Sequence, residues 1–158
     1  MHGNGSWATG GAAVSMKKIL ILELSKNEDA RGWLAEAWRS DGFKHKPAML
    51  YVSCTKKGVV RGPHEHIRQT DVFVFLGAFR IFLWDNRQRR CEKLEYRVPA
   101  DKPTLVVVPP GVVHAYKSLA ENGIVMNLPD KLYRGKGKRG KVDEIRHEDD
   151  PNSPYLVS

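Results

Sequence analysis

The stretch Gly58-Val59-Val60-Arg61-Gly62-Pro63-His64-Glu65-His66 decides the fold. An apolar start runs into two histidines one residue apart, beside an arginine. Side chains two apart on an extended segment share a face, so His64 and His66 converge on one space and Glu65 turns away from it. A second stretch, Val106-Val107-Val108-Pro109-Pro110-Gly111-Val112-Val113-His114, holds a β-branched run, a Pro-Gly turn and a third histidine. It reads as a strand pair that brings His114 into the same interior.

Outward from these stretches the chain continues as short strands with Gly and Pro corners. Lys18 to Glu23 is a first strand, uniformly apolar from Ile19 to Leu22, and Asp29-Ala30-Arg31-Gly32 is a turn. Trp33 to Trp38 alternates Trp33, Ala35 and Ala37 against Leu34, Glu36 and Trp38, which predicts a second strand. Met49 to Cys54 is a strand before a turn at Lys56-Lys57-Gly58. Asp71 to Leu76 and Ala78 to Asp85 form a hairpin around Gly77. Leu94 to Val98, Thr104 to Val108, Val112 to Leu119 and Ile124 to Leu128 complete the series. Short strands at near-regular spacing, with almost no helical period, predict an all-β sandwich or barrel. The aromatics Trp33, Trp38, Phe73, Phe75, Phe79, Phe82 and Trp84 are expected in its core or at an interface. From Pro129 onward the chain turns polar and is expected to form loops, with at most one short helix, over a barrel edge.

A chain of 158 residues fits one domain that buries a core without disulfides or a structural metal. Residues 1 to 15 are rich in Gly, Ala and Ser and read as a flexible tail ahead of a single domain over residues 16 to 158. No run reaches the roughly 18 apolar residues of a membrane span, and the first residues lack the basic start and apolar block of a secretory signal. A soluble, cytoplasmic protein is expected. Cys54 and Cys91 have no CxxC spacing and read as buried, reduced thiols. The 26 Lys and Arg outnumber the 18 Asp and Glu, for a formal net charge of +8. They are scattered except between Lys131 and Lys141, where no helix period and no nucleic-acid module is present. No nucleic-acid partner is therefore expected, and a pocket for a phosphorylated small molecule is the better use of the charge. Lys136 to Lys141 itself reads as a mobile, solvated loop.

The series Gly58, His64, His66, Asp71, Gly77, then Pro109, Gly111 and His114, resembles the two short motifs of the cupin superfamily. Asp71 stands where a Glu is usual, the gap to Gly77 is one residue short, and Ser118 replaces an Asn. Asp29-Ala30-Arg31-Gly32, Gly58 to His64, Trp84-Asp85-Asn86-Arg87 and Pro110 to Ala115 resemble, in order, landmarks of the dTDP-4-dehydrorhamnose 3,5-epimerase family. The resemblance implies a small cupin barrel, a double-stranded β-helix or jelly roll, that forms a homodimer. It implies a dTDP-4-keto-6-deoxyhexose as substrate, and no metal or organic cofactor. A proton next to a ketone is acidified by delocalisation into an enolate, so a histidine held by a carboxylate can remove it near neutral pH.

On this resemblance His64 is the base and Asp150, in Asp149-Asp150-Pro151, its orienting carboxylate. Arg61 and Arg31 match arginines that grip the substrate and its diphosphate, and His114, Asn127 and Tyr133 are further substrate contacts. Two family positions differ. Thr70 stands where a lysine steadies the enolate oxygen, and Asn127 where a tyrosine returns a proton from the opposite face. Loss of a single oxyanion donor costs about 3 kcal/mol. The segment Arg61 to His66 also resembles the Arg-Gly-x-His-x-His signature of cupin sugar 3,4-ketoisomerases, in which two interior histidines, here His64 and His66, move protons between neighbouring carbons. Two other readings stand beside these. His64, His66, Asp71 and His114 are the right donors for a divalent transition metal, and a chain without the lysine and tyrosine could be a non-catalytic sugar-nucleotide-binding cupin.

Overall fold

The computed structural model describes residues 17–158. The expected tail over residues 1 to 15, and Met16, lie outside the described residues. Two five-stranded antiparallel sheets face each other. In chain order the strands are β1 (Leu20–Glu23), β2 (Asn27–Asp29), β3 (Gly32–Leu34), β4 (Tyr51–Lys56), β5 (Val60–Glu65), β6 (Asp71–Leu76), β7 (Phe79–Asp85), β8 (Glu92–Val98), β9 (Thr104–Val108), β10 (Val112–Ser118), β11 (Asn122–Asn127) and β12 (Ile145–Arg146). One sheet runs β1-β9-β6-β11-β4 and the other β12-β5-β10-β7-β8, with β2-β3 a separate hairpin. This is the predicted jelly-roll barrel. Beyond β11 come loops, a single 3₁₀ turn at Lys136–Lys138 and the short edge strand β12.

Alternation along the strands explains why so many read as continuously apolar. Phe73 and Phe75 of β6, with Phe79, Ile81 and Leu83 of β7, point between the sheets and pack with Val106, Val112 and Tyr116. Their sequence neighbours point outward and are covered too. Val72, Val74, Leu105 and Val107 lie beneath Leu24, Phe43 and Trp38, and Phe82 and Trp84 lie beneath Tyr155 and Val157. Sheets covered on both faces need apolar residues at every position, which removes the period-two signal.

Three expectations are corrected here. Strand structure in the Trp33 to Trp38 stretch is confined to β3, because Ala35, Ala37 and Trp38 pack as irregular chain onto the outer face of the first sheet. Trp33 is half exposed and takes Lys26 over its ring rather than entering the core. Cys54 and Cys91 are free thiols, as expected, but both are exposed. The uniform apolarity of β1 also has an internal cause, since Leu20 and Leu22 pack on one cluster and Ile19 and Ile21 on the other. Among the described residues no helix is long and apolar enough to cross a membrane.

Candidate active site

Strands β5 and β10 build the site. Their register sets His64 opposite His114, and then slips so that Tyr116 faces Arg61. The slip needs Gly62, which has φ 82°; a Cβ there would lie 2.5 Å from the His114 carbonyl oxygen. The Pro109-Pro110-Gly111 turn is tied in when the Gly111 amide donates to the His66 carbonyl at 2.9 Å. The two histidine-bearing stretches therefore meet as their sequences predict. Ring centroids are 4.4 Å apart for His64 and His114, and 5.9 Å for His64 and His66. Glu65 does turn away, and His147 bonds to it at 2.9 Å.

Asp71 points inward beneath the three imidazoles. Its Oδ1 accepts from Gln69 Nε2 at 2.9 Å and from Asn127 Nδ2 at 2.8 Å. Its Oδ2 stands 3.1 Å from His66 Nε2 and 3.7 Å from His114 Nε2. His66 Nδ1 is engaged by the Asp143 backbone carbonyl, so this ring has an acceptor at one nitrogen and a carboxylate within ion-pair distance of the other. Gln69 Nε2 also approaches His66 Nε2, at 3.1 Å, but the carboxylate carries the charge and decides the protonation there. Burial works against the His66 cation, yet the bond and charge of Asp71, with the Asp143 carbonyl, raise its pKa to about 9. Burial also opposes the Asp71 charge, and His66, His114 and Asn127 hold its carboxyl below the usual range. Buried His114 is pushed down to about 3, by desolvation first and His64 second. His64 is lowered by burial, with Glu144 and Glu148 pulling the other way. Near neutral pH the cluster thus holds one imidazolium, His66, and two neutral rings.

A cavity of about 1440 Å³ opens in front of this cluster. Its walls include Tyr51, Ser53, Arg61, His64, His66, Arg68, Tyr116, Tyr133 and Glu144. Arg61 is fixed there by bonds from Nε to Thr55 Oγ1, 2.9 Å, and from Nη2 to the Cys54 carbonyl, 3.4 Å. His114 and Asn127 lie behind the wall, buried, rather than on it. Asn127 instead supports a wall residue: its Nδ2 donates to the Tyr51 hydroxyl at 2.8 Å, its partner in the β4–β11 register. Thr70 is buried outside the cavity, with its amide held by Asp130 at 3.0 Å. Arg31 is not on the wall either; it lies on the β2–β3 hairpin, forked onto Asp29 with a closest contact of 2.5 Å. The Lys136 to Lys141 segment, expected to be solvated, supplies Gly137, Lys138 and Lys141 to the wall.

Asp150 does not hold His64. It is exposed, with its carboxylate bonded to the Asn152 amide at 2.9 Å. The carboxylates beside His64 are Glu144, 3.9 Å from Nε2, and Glu148, 3.8 Å from Nδ1. They arrive because β12 pairs with β5, setting Arg146 opposite His64, and because the His147 and Glu148 amides donate to the Pro63 carbonyl. Asp143 was equally hidden in the sequence. Its carboxylate takes the amides of Ile67, Arg68 and Gln69 at 2.9 to 3.1 Å and so shapes the turn after His66. A two-residue strand leaves no periodic signal, so only the density of carboxylates from Asp143 to Asp150 could have pointed here. As donors for a metal, His64, His66 and His114 offer nitrogens that all lie within 4.8 Å of one another, with Asp71 Oδ2 beside two of them.

Comparison with known proteins fits this geometry. The sequence profile of the dTDP-4-dehydrorhamnose 3,5-epimerase family matches residues 13–150. The probable low-salt glycan biosynthesis epimerase Agl13 of Haloferax volcanii is 31% identical over 123 residues, which is 73% of this chain and 79% of that protein. The spore coat polysaccharide biosynthesis protein SpsL of Bacillus subtilis is 31% identical over 114 residues, 68% of this chain and 75% of that protein. Among solved structures, a dTDP sugar isomerase from Desulfovibrio desulfuricans G20 superposes with a TM-score of 0.74 at 19% identity, over 92% of this chain and 94% of that one. The sugar 3,4-ketoisomerase QdtA from Thermoanaerobacterium thermosaccharolyticum, solved with TDP, gives a TM-score of 0.65 at 18% identity, over 83% and 89%. These two structures share the fold.

Proposed function

The chain belongs to the dTDP-4-dehydrorhamnose 3,5-epimerase family, and from that premise we propose that it is an isomerase that enolises a dTDP-linked 4-keto-6-deoxyhexose with its own side chains. The observation that carries the reading is a neutral and a cationic imidazole side by side on one cavity wall. His64 removes the proton next to the ketone, and the electron pair of that C–H bond moves onto the carbonyl oxygen. The His66 imidazolium, anchored by Asp71, supplies the positive charge that the family lysine would bring and that Thr70 cannot. Glu144 and Glu148, rather than Asp150, orient His64 and stabilise it once protonated.

Tyr51 is the acid. Its oxygen accepts from Asn127, which leaves its own O–H free to donate into the cavity. Burial pushes its pKa up to about 12, with the Asn127 bond easing the shift, so it keeps that proton. The donor has moved one strand sideways, from β11 to its register partner on β4. Proton return from Tyr51 to the same carbon gives epimerisation. In ketoisomerisation the hydroxyl proton on the deprotonated carbon shifts to the former carbonyl oxygen, and His66 protonates the former carbonyl carbon. Solvent then carries the His64 proton back to His66. Arg61 and Tyr133 contact the substrate from the wall. In deuterated water, a dTDP-4-keto-6-deoxy sugar should take up deuterium at carbons beside the ketone, and analysis of the product sugar distinguishes the two routes. Absence of exchange with intact TDP binding would instead support a sugar-nucleotide-binding protein without catalysis. The protein acts as a homodimer in the cytoplasm, whose reducing setting suits two exposed free cysteines.

A second reading has a divalent transition metal on His64, His66 and His114, and the convergence of their nitrogens favours it. It requires His66 to give up the proton it directs at Asp71, since an imidazolium has no lone pair for a metal. Elemental analysis after reconstitution with iron, nickel, manganese and zinc decides between them. We expect metal well below one per chain; a stoichiometric metal released by His66→Ala would replace the first reading.

A further inference from the structure

The proton chemistry leaves the cationic mouth of the cavity unexplained. Arg68, Arg134, Lys138 and Lys141 line it, and none has a side-chain partner among the described residues. The acidic side chains nearby are already engaged. Asp143 is capped by three amides, Glu144 pairs with Arg146 at 2.9 Å, and Asp130 holds the Thr70 amide. Seven Lys and Arg side chains line the cavity against four Asp and Glu, so among the described residues its lining keeps a net positive charge.

The loop that brings three of these cations is ordered by its own backbone. The Gly135 amide bonds to the Leu132 carbonyl at 2.8 Å, Lys138 to Gly135 at 3.1 Å, and Gly140 to Arg134 at 2.5 Å. Arg134 and Lys138 have φ of 57° and 58°, a conformation uncommon for residues with a side chain. The chain passes close at Gly140, where a Cβ would lie 3.0 Å from the Arg134 carbonyl oxygen. Five cations, Arg134, Lys136, Lys138, Arg139 and Lys141, are thus held close together against their mutual repulsion. Lys136 and Arg139 stand off the cavity wall while Arg134, Lys138 and Lys141 are on it.

We infer that Arg134, Lys138 and Lys141, which share the cavity lining with Arg68, hold the diphosphate of the nucleotide-linked substrate, which leaves Arg61 to the sugar. The inference rests on the isomerase reading for the identity of the ligand but not for the site. A diphosphate presents closely spaced anionic oxygens, to which guanidinium and ammonium groups make charge-assisted bonds. Within one chain Arg31, the match of a family arginine, lies on the β2–β3 hairpin away from the cavity, whereas the loop brings its cations onto the wall directly.

Calorimetric titration of the full chain with TDP, thymidine and inorganic pyrophosphate tests it. Lys138→Ala/Lys141→Ala should weaken TDP at least about tenfold, from the loss of charge-assisted bonds, and should flatten its salt dependence. Thymidine affinity should not change, and neither should TDP affinity in the off-wall control Lys136→Ala/Arg139→Ala. Both variants alter exposed side chains, and thermal unfolding checks that they fold. If the parent and Lys138→Ala/Lys141→Ala bind TDP equally, or the control weakens it as much, the loop assignment is overturned while the isomerase reading stands. If pyrophosphate binding follows the wall lysines but no keto-sugar nucleotide exchanges deuterium, the anion site is supported and the isomerase reading fails.

Discussion

At the level of single residues, the site was legible wherever side-chain direction follows from chain direction. The interval of two between His64 and His66, and the turn before His114, required only an extended backbone. Asp143, Glu144 and Glu148 were not legible, because they reach His64 and His66 through pairing of β12 with β5, and a two-residue strand has no pattern of its own. The protonation states give a pH profile. His64 works as the neutral base, and burial lowers its pKa from the ordinary 6.5, so activity should rise with a midpoint below that value. His66 works as the cation, so activity should fall as pH rises through about 9. Deuterium exchange followed by NMR across pH should therefore be bell-shaped. His64→Asn should slow exchange by roughly 10²–10⁴-fold, the usual worth of a general base. His66→Asn should also slow it and abolish the alkaline limb; an alkaline limb that persists in this variant would remove His66 from the role.

Among the elements, β6 and β9 match their predicted bounds, because unbroken apolar runs between glycine and proline corners have no other use at that length. Trp33 to Trp38 shows the converse. Its alternation was real, but the apolar side chains are satisfied by lying on the outer face of a sheet, which sequence alone does not distinguish from pairing within one. The slip between β5 and β10 depends on one glycine. Gly62→Ala combines an unfavourable left-handed backbone, about 1–2 kcal/mol, with overlap against the His114 carbonyl, about 1–3 kcal/mol more. A fall in Tm of about 5–15 °C is expected by scanning calorimetry. An unchanged Tm would show that the strands can re-register without the bulge.

For the whole molecule, the jelly roll was legible as a class, whereas the surfaces it leaves uncovered were not. β1 packs its partly buried apolar side chains on two clusters of its own chain and remains a sheet edge. The exposed apolar residues include Leu50 and Val52 at β4, which is also a sheet edge, and Trp33 and Leu34 on a hairpin that joins neither sheet. An open edge and an apolar flap suit a second copy of the chain. Sedimentation should give twice the 17.9 kDa chain mass, and Leu50→Glu with Val52→Glu should reduce it to one. A monomeric parent at micromolar concentration would refute the dimer. The basic loop at the cavity mouth has a different kind of consequence. It is bracketed by two aspartates, Asp130 and Asp143, that clamp the chain on either side of it, and its own hydrogen bonds close between Arg134 and Gly140. Descendants of this gene could therefore exchange those few residues wholesale, and so drift toward other nucleotide carriers, while inheriting the histidine machinery untouched.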